Sequence, residues 1–378
     1  MPSAKKIIKI ALSNPQSALL QGFHKLRRKS RLEYNLKSGW SLCPDFITFL
    51  ITKRCNYRCY RCSAHAPEEM KEQLAAEMTT DDYKRIIDEV APYKPAIYFC
   101  GGEPTLRDDL VEIIKYIKKK KMLCAMTTNA SLLEEKLAKD LVESGIDFIS
   151  ISLDGDEAAH DRSRGIPGAY KNVLRGVRNL QKYRGKKSRP HIKLVGIIDP
   201  ENPIVSRHVL EMAKSLGVDE ANFGHLMFYP KNVKIDQEEF AAKYKIGSDY
   251  ITGMEAEKDF QSDISGLKKM IREIRKFEGV HTSIAQGFEI DVEKYYASPY
   301  QYPSLKSECM TPWFSAIIRP DGNVSSCMEF DVGNIKERKF LKIWNDPKWK
   351  LFRRLKSRKK EHIPACFRCG EGQKIKFD

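Results

Sequence analysis

Three cysteines crowd one short stretch, Lys53-Arg54-Cys55-Asn56-Tyr57-Arg58-Cys59-Tyr60-Arg61-Cys62, with gaps of three residues and then two. That spacing lets three thiolates converge from a single loop. Thiolates are soft donors, suited to iron–sulfur clusters and to zinc. A four-iron cubane held by three cysteines keeps one iron open for a further ligand. With His65 as a fourth donor, the same cysteines could instead complete a Cys3His zinc site. The loop alone leaves both chemistries open.

Four more cysteines lie near the C-terminus: Cys309, Cys327, Cys366 and Cys369. Between the first two, Arg319-Pro320-Asp321-Gly322-Asn323-Val324 has the Asp-Gly apex of a hairpin turn. A helix near Leu341–Leu355 and a terminal C-x2-C follow, which together make a compact four-thiolate cage. Spacing alone does not choose between zinc and a fully ligated cluster there. Cys100 and Cys124 sit in apolar strand candidates, where cysteine acts as a small core residue. Cys43 has no assigned role.

The elements that must position these groups alternate between short apolar strands and helices. The strand candidates are 46–52, 96–100, 122–127, 147–152, 192–198 and 221–227. Between them Tyr83, Ile86, Ile87 and Val90 share one helical face, as do Leu110, Ile113, Ile114 and Ile117. Leu133, Leu137 and Leu141 repeat every four residues, and Val173, Val177 and Leu180 follow a similar period. Such alternation predicts an α/β fold with right-handed crossovers and a parallel sheet. Six units fall short of an eight-fold closed barrel, so an open or partial barrel is expected. In such folds reactive groups sit on loops leaving the carboxyl ends of the strands. The three-cysteine loop follows the first candidate strand and Gly101-Gly102-Glu103-Pro104 the second. Thr127-Thr128-Asn129 ends the third, and Ser152-Leu153-Asp154-Gly155 the fourth. All four polar clusters therefore fall on one rim, which a zinc finger gives no reason to produce.

Read together, C-x3-C-x2-C after the first strand, GGEP after the second and SLDG…HDxxRG after the fourth resemble the radical S-adenosylmethionine (radical SAM) superfamily. The resemblance implies a partial (β/α)6 barrel and a [4Fe-4S] cluster on Cys55, Cys59 and Cys62, whose open iron chelates SAM. It implies SAM contacts from Gly101, Gly102, Glu103 and Pro104, from Thr128 and Asn129, and from Ser152, Asp154 and Arg164. Val195-Gly196-Ile197-Ile198 falls where the family packs the adenine. The family usually places an aromatic residue just before its third cysteine, whereas Arg61 stands there, with Tyr60 one place earlier. The PDGxVxxC turn, Gly333-Asn334-Ile335, Ile343-Trp344 and the C-x2-C resemble the twitch/SPASM extension of these enzymes. With no cysteine after Cys369, the shorter form is expected, in a small β-hairpin/helix domain. It would hold one auxiliary [4Fe-4S] cluster on Cys309, Cys327, Cys366 and Cys369. The implied activity is hydrogen abstraction by a 5′-deoxyadenosyl radical, with the auxiliary cluster taking an electron during dehydrogenation of a small alcohol or sugar-like metabolite. Peptide modification and radical modification of a lipid are the alternatives; flavodoxin or ferredoxin is the expected reductant. No residue identifies itself as a catalytic base.

The 378 residues carry 66 Lys and Arg against 50 Asp and Glu, a net charge of +16, with 42% hydrophobic and 31% charged residues. The composition is that of a globular chain. The excess charge favours anionic partners, although no RNA-binding pattern of interleaved aromatic and basic residues appears and nucleic acid is not expected. Cysteine usage and the lack of a secretory signal suggest a cytoplasmic protein. Four regions are expected: a leader (1–45), the barrel (46–230), a mostly helical linking segment with a further strand near 280–285 (231–308) and the cluster domain (309–378). In the linking segment Tyr295, Tyr296, Tyr300 and Tyr302 could line a substrate cavity or pack between domains. In the leader, Ile7, Ile8, Ala11 and Leu12 share a face with Lys5, Lys6 and Lys9 interleaved. Such a helix covers a side of its own domain or lies on an anionic membrane. Basic residues also crowd the stretch from Lys348 to Lys360, expected as a solvated surface.

Overall fold

The computed structural model describes residues 24, 26–28, 30–60, 62, 77–244, 255–256, 262–284, 292–297, 309–327, 330–357 and 363–367. His65, Arg61, Cys369, Tyr300, Tyr302 and the apolar–basic repeat of residues 5–12 lie outside them.

The strands are β1 (Phe46–Thr52), β2 (Ala96–Gly101), β3 (Cys124–Thr128), β4 (Phe148–Ser152), β5 (His191–Ile198) and β6 (Glu220–His225). After them come β7 (Tyr229–Pro230), β8 (Glu255–Ala256), β9 (His281–Ile284), β10 (Ser315–Ile318), β11 (Asn323–Ser325) and β12 (Asp331–Asn334). One ten-stranded sheet runs β12-β11-β10-β1-β2-β3-β4-β5-β6-β9. From β10 through β9 all neighbours are parallel, while β11 and β12 add an antiparallel edge. All six expected barrel strands are present, with ends shifted by up to two residues. The parallel sheet is wider than expected because β9 joins β6 at one side and β10 joins β1 at the other. The expected strand near 280–285 is β9, although its joining the parallel sheet was not expected; β10 is only four residues long, too short for an apolar run to stand out.

Parallel strands are near-continuously apolar because helices cover the sheet. Those helices are α1 (Thr80–Val90), α2 (Leu110–Lys119), α3 (Glu135–Glu143), α4 (Glu157–Arg164), α5 (Ala169–Arg184) and α6 (Ser206–Ser215). Later come α7 (Lys231–Tyr244), α8 (Ile264–Lys276), α9 (Phe340–Trp344) and α10 (Pro347–Ser357). The side chains of Thr79 and Asp82 form a capping box that starts α1. Tyr83, Ile86, Ile87 and Val90 then turn inward, as the spacing predicts. The Leu133 repeat behaves differently. Leu133 is buried in the turn ahead of α3, and Ala138, Leu141 and Val142 form that helix's buried face. Among the described residues no helix is long and apolar enough to cross a membrane.

The described residues between 24 and 45 are tied to the start of β1. Asp45 pairs with Arg27 at 2.8 Å and with His24 at 2.6 Å. Arg27 Nη1 also donates to Cys43 Sγ at 2.8 Å, so Cys43 belongs to a buried polar knot, and burial pushes its thiol up to about 11.

The stretch from Lys348 onward departs from the expected solvated surface. Trp349, Phe352, Arg353 and Lys356 recur at helical spacing on α10, and the first three are buried. Arg353 lies over Trp344 and Trp349 and donates to Pro312 O at 2.7 Å, Gly39 O at 2.9 Å and Asn345 Oδ1 at 3.0 Å. Its aliphatic stem and planar head serve as core material that ties the N-terminal segment to the C-terminal helices.

Candidate functional site

The three-cysteine loop leaves β1 at Thr52, whose hydroxyl donates to Glu77 Oε1 at 2.7 Å; the Lys53 amide donates to the same oxygen at 3.0 Å. Further along, Tyr57 is buried and its hydroxyl accepts from Asn172 Nδ2 at 2.9 Å. The returning limb lies against the end of α4. The Arg58 amide donates to Arg164 O at 3.2 Å, and the Tyr60 amide to Ser163 O at 3.0 Å. Gly165 explains why this contact fits. Its φ is +66°, and a Cβ there would lie 3.1 Å from the Arg58 carbonyl carbon and nearer still to the oxygen. Only glycine ends α4 and seats the loop at once.

Burial pushes the thiols of Cys55 and Cys59 up, while the Arg164 guanidinium, with Nη1 3.8 Å from Cys59 Sγ, opposes that rise at Cys59. Each of the two feels the charge of its neighbours in the motif, so the three sulfurs share one neighbourhood. Thiols placed this way lose their protons when a metal binds, and metal affinity there rises with pH. The donor set fits a three-thiolate cluster.

The second loop packs directly on the first. The Gly102 amide donates to Thr52 O and the Glu103 amide to Arg54 O, both at 2.8 Å. A Cβ on Gly102 would fall 2.6 Å from the Arg54 carbonyl carbon, so the paired glycines provide a cradle of bare backbone beside the cysteines. Glu103 is buried and acts as the hub of the rim. Oε1 accepts from the Thr105 amide at 3.1 Å and from the Thr105 and Thr128 hydroxyls, each at 2.6 Å, and Oε2 accepts from the Asn129 amide at 2.7 Å. Burial pushes its carboxyl up, and these donors hold it down. Pro104 begins the short turn that follows. Asn129 Nδ2 donates to Asn56 Oδ1 at 3.0 Å, and Asn56 Nδ2 donates to Ser131 Oγ at 2.8 Å. A chain of hydrogen bonds thus runs from the β2 loop through the β3 end into the cysteine loop.

Ser152 ends β4, partly exposed. Beyond it, Asp154 Oδ2 receives Arg164 Nη2 at 2.8 Å and Ser163 Oγ at 2.8 Å, so the acidic and basic members of this motif face each other. His160 Nδ1 accepts from the Asp154 amide at 3.2 Å, and burial pushes the imidazole down to about 4, aided by Arg164. Gly196 lets β5 close on this turn, since a Cβ there would sit 2.6 Å from Leu153 O.

The other thiolate set is assembled by β10, β11 and α10. Cys309 precedes the turn of helix at Thr311–Phe314, Cys327 follows β11, and Cys366 lies in the turn Pro364–Phe367. The expected Asp-Gly hairpin joins β10 and β11, with Gly322 at φ +91°. Lys356, half-buried near the end of α10, places Nζ 3.2 Å from Cys366 Sγ, and Cys309 and Cys327 also act on its charge. Among the described residues this ammonium group is thus bonded to one cysteine of the set and felt by the other two. Sequence spacing pointed to the cysteines and missed Lys356, along with Asn56, Tyr57, Ser131 and Glu77. The only signal for Lys356 was its place seven residues after Trp349, on the buried stripe of α10. Tyr295 is buried against His225 and Phe228, beside the half-buried Tyr296.

Comparison with known proteins follows the same division. A model of the radical SAM superfamily matches residues 49–203, and one of the SPASM iron–sulfur cluster-binding domain matches residues 309–370. Among curated proteins, the Fe-coproporphyrin III synthase of Methanosarcina barkeri is 27% identical over 347 residues, covering 85% of this chain and 80% of that protein. The PqqA peptide cyclase of Rhodopseudomonas palustris is 28% identical over 188 residues, 49% of this chain and 48% of that protein. Among solved structures, Streptococcus suis SuiB bound to S-adenosylmethionine superposes with a TM-score of 0.59 at 14% identity, covering 88% of this chain and 71% of that one.

Proposed function

Since this chain is a radical SAM enzyme with a C-terminal SPASM-type iron–sulfur domain, we propose that it oxidises an unactivated C–H position of a carboxylate-bearing iron tetrapyrrole. When bound, the reduced cluster on Cys55, Cys59 and Cys62 supplies the electron that cleaves SAM to methionine and a hydrogen-abstracting 5′-deoxyadenosyl radical. A second cluster on Cys309, Cys327, Cys366 and Cys369 supplies a fully ligated one-electron acceptor.

The chain's own residues do the rest. Gly101 and Gly102 offer bare backbone to the ammonium end of SAM. Glu103, Thr128 and Asn129 hold that loop to the cysteine loop, which fixes the spacing of the two. Ser152 and Asp154 suit ribose hydroxyls, and Arg164 suits a carboxylate by exchanging its Asp154 partner.

The observation that carries the substrate reading is the extent of the synthase match. An alignment over 85% of the chain must run through part of residues 231–308, the segment outside both family matches, whereas the cyclase match covers about half of the chain. A net charge of +16 also suits a polyanionic substrate. The test is anaerobic turnover of reconstituted protein with SAM and reduced flavodoxin or ferredoxin. Carboxylate-bearing iron porphyrins, iron coproporphyrin and its more highly carboxylated relatives among them, would be offered in parallel with a small polyol, a peptide and a lipid extract. Substrate-dependent 5′-deoxyadenosine with a mass change in the porphyrin alone supports the reading. Product from the polyol, peptide or lipid alone overturns the substrate and retains the chemistry.

A membrane contact rests on a separate observation. Leu26, Leu32, Leu36, Trp40 and Leu42 are exposed on the N-terminal segment, at 67%, 60%, 61%, 43% and 37%. The exposed cations Lys37 and Lys348 also carry charge there, next to the amphipathic leader pattern. Apolar side chains rimmed by cations suit an anionic bilayer surface. Sedimentation with phosphatidylglycerol-containing vesicles should fall for the triple variant L32S/L36S/W40S; equal binding would remove this partner.

A further inference from the structure

Each thiolate set has a cation beside it. Arg164 lies against Cys59 in the first, and Lys356 lies against Cys366 in the second. They differ in how they are held. Arg164 is neutralised by Asp154 at 2.8 Å. Lys356 donates to the sulfur of Cys366 itself. It reaches this cysteine directly, with Nζ 3.2 Å from Cys366 Sγ, within hydrogen-bond reach of a sulfur acceptor. Its place is fixed by α10, whose stripe of Trp349, Phe352 and Arg353 anchors the helix in the core.

Four thiolates around a four-iron core give a net anion whose charge grows by one on reduction. A fixed positive charge at one sulfur, inside a medium of low dielectric, favours the more negative state more strongly. An N–H···S hydrogen bond to the ligand acts in the same direction.

We propose that Lys356 sets the reduction potential of the C-terminal cluster, donating to Cys366 Sγ and raising that potential so that the cluster takes an electron readily. This rests on the reading of Cys309, Cys327, Cys366 and Cys369 as cluster ligands. Reduction takes one electron from the carbon-centred substrate radical left by hydrogen abstraction, which is thereby oxidised and loses a proton to solvent; no bond to the cluster forms and Lys356 is unchanged. The positively charged environment makes this cluster an acceptor, whereas the first set must act as a donor to SAM.

The experiment is an EPR-monitored redox titration of reconstituted full-length protein carrying C55A/C59A/C62A, so that only the C-terminal cluster reports. Adding K356M should shift the midpoint downward by at least a factor of ten in the reduction equilibrium, about 59 mV for one electron. K356R, which keeps the charge, should remain near the parent. An unchanged midpoint in a fully loaded K356M protein overturns the proposal, as does K356R falling as far as K356M. Should K356M fail to load, resonance Raman of the parent in H2O and D2O decides: a deuterium shift of the Fe–S stretches supports the hydrogen bond, and none overturns it. Zinc in place of iron in the parent would overturn the cluster reading itself, and is distinguished by metal analysis before any titration.

Discussion

Gly102→Ala tests how tightly the glycine cradle and the cysteine loop are fitted. The added methyl would stand 2.6 Å from the Arg54 carbonyl carbon and 2.9 Å from Lys53 O, where ordinary contact begins at 3.4 Å. The neighbours are backbone, so no side chain can swing aside, and the loop must retreat by more than about 0.8 Å (3.4 minus 2.6), because Arg54 O lies nearer still than the carbonyl carbon. That retreat strains the Glu103 amide's bond to Arg54 O, at 2.8 Å, and with it the register of Cys55. Overpacking of this kind costs about 1–3 kcal/mol, a factor of roughly 5 to 150 in an equilibrium constant. Because the strain falls on the loop, the loss should appear in metal loading and SAM binding more than in global unfolding. The assay is iron and sulfide per chain after anaerobic reconstitution, with SAM affinity by equilibrium dialysis and a melting curve of the apoprotein. Gly224→Ala is the control, since its nearest neighbour is the flexible end of Ile197 at 3.3 Å. Gly102→Ala should lose the first cluster and keep the C-terminal one. A Gly102→Ala protein that loads fully and binds SAM as the parent does would refute the close fit.

Glu103→Ala strands the amides of Thr105 and Asn129 and the hydroxyls of Thr105 and Thr128, and should cost about 3–5 kcal/mol in urea unfolding of the apoprotein. A loss below about 1 kcal/mol would show that water replaces the carboxylate. His160 is buried neutral, with its folded value pushed down to about 4 from 6.5. Between those values the unfolded chain binds a proton that the folded chain does not. Stability is therefore full above pH 6.5 and falls as pH drops toward 4, by about 3 kcal/mol from this group. His160→Gln should flatten that window in denaturation midpoints taken across it, and an unchanged slope would exclude His160 as the source. Arg353→Ala removes the bonds to Pro312 O and Gly39 O and opens a cavity between two tryptophans, at about 3–5 kcal/mol. Its readout is the urea midpoint, and a loss under about 1 kcal/mol would mean that the core does not depend on the guanidinium.

The sequence alone determined what depends on near neighbours along the chain. Cys55, Cys59 and Cys62 share a loop because few residues separate them, and no fold could place them far apart. The strand–helix alternation followed from apolar runs of strand length and faces of helical period, which are local properties as well. The Asp-Gly hairpin between β10 and β11 was legible for the same reason. Tertiary structure decided what long-range packing brings together. Glu103 meets Thr128 and Asn129 across 25 and 26 residues, and Arg164 reaches Cys59 across 105. Neither separation leaves a periodic trace. The basic run from Lys348 looked solvated because charge is ordinarily exposed, and only packing against Pro312 and Gly39 could bury Arg353, as only the fold could bring Lys356 to Cys366. The width of the sheet was hidden likewise, since β10 is added to β1 from 269 positions later in the chain (Phe46 pairs with Ser315) by backbone hydrogen bonds that any side chain permits.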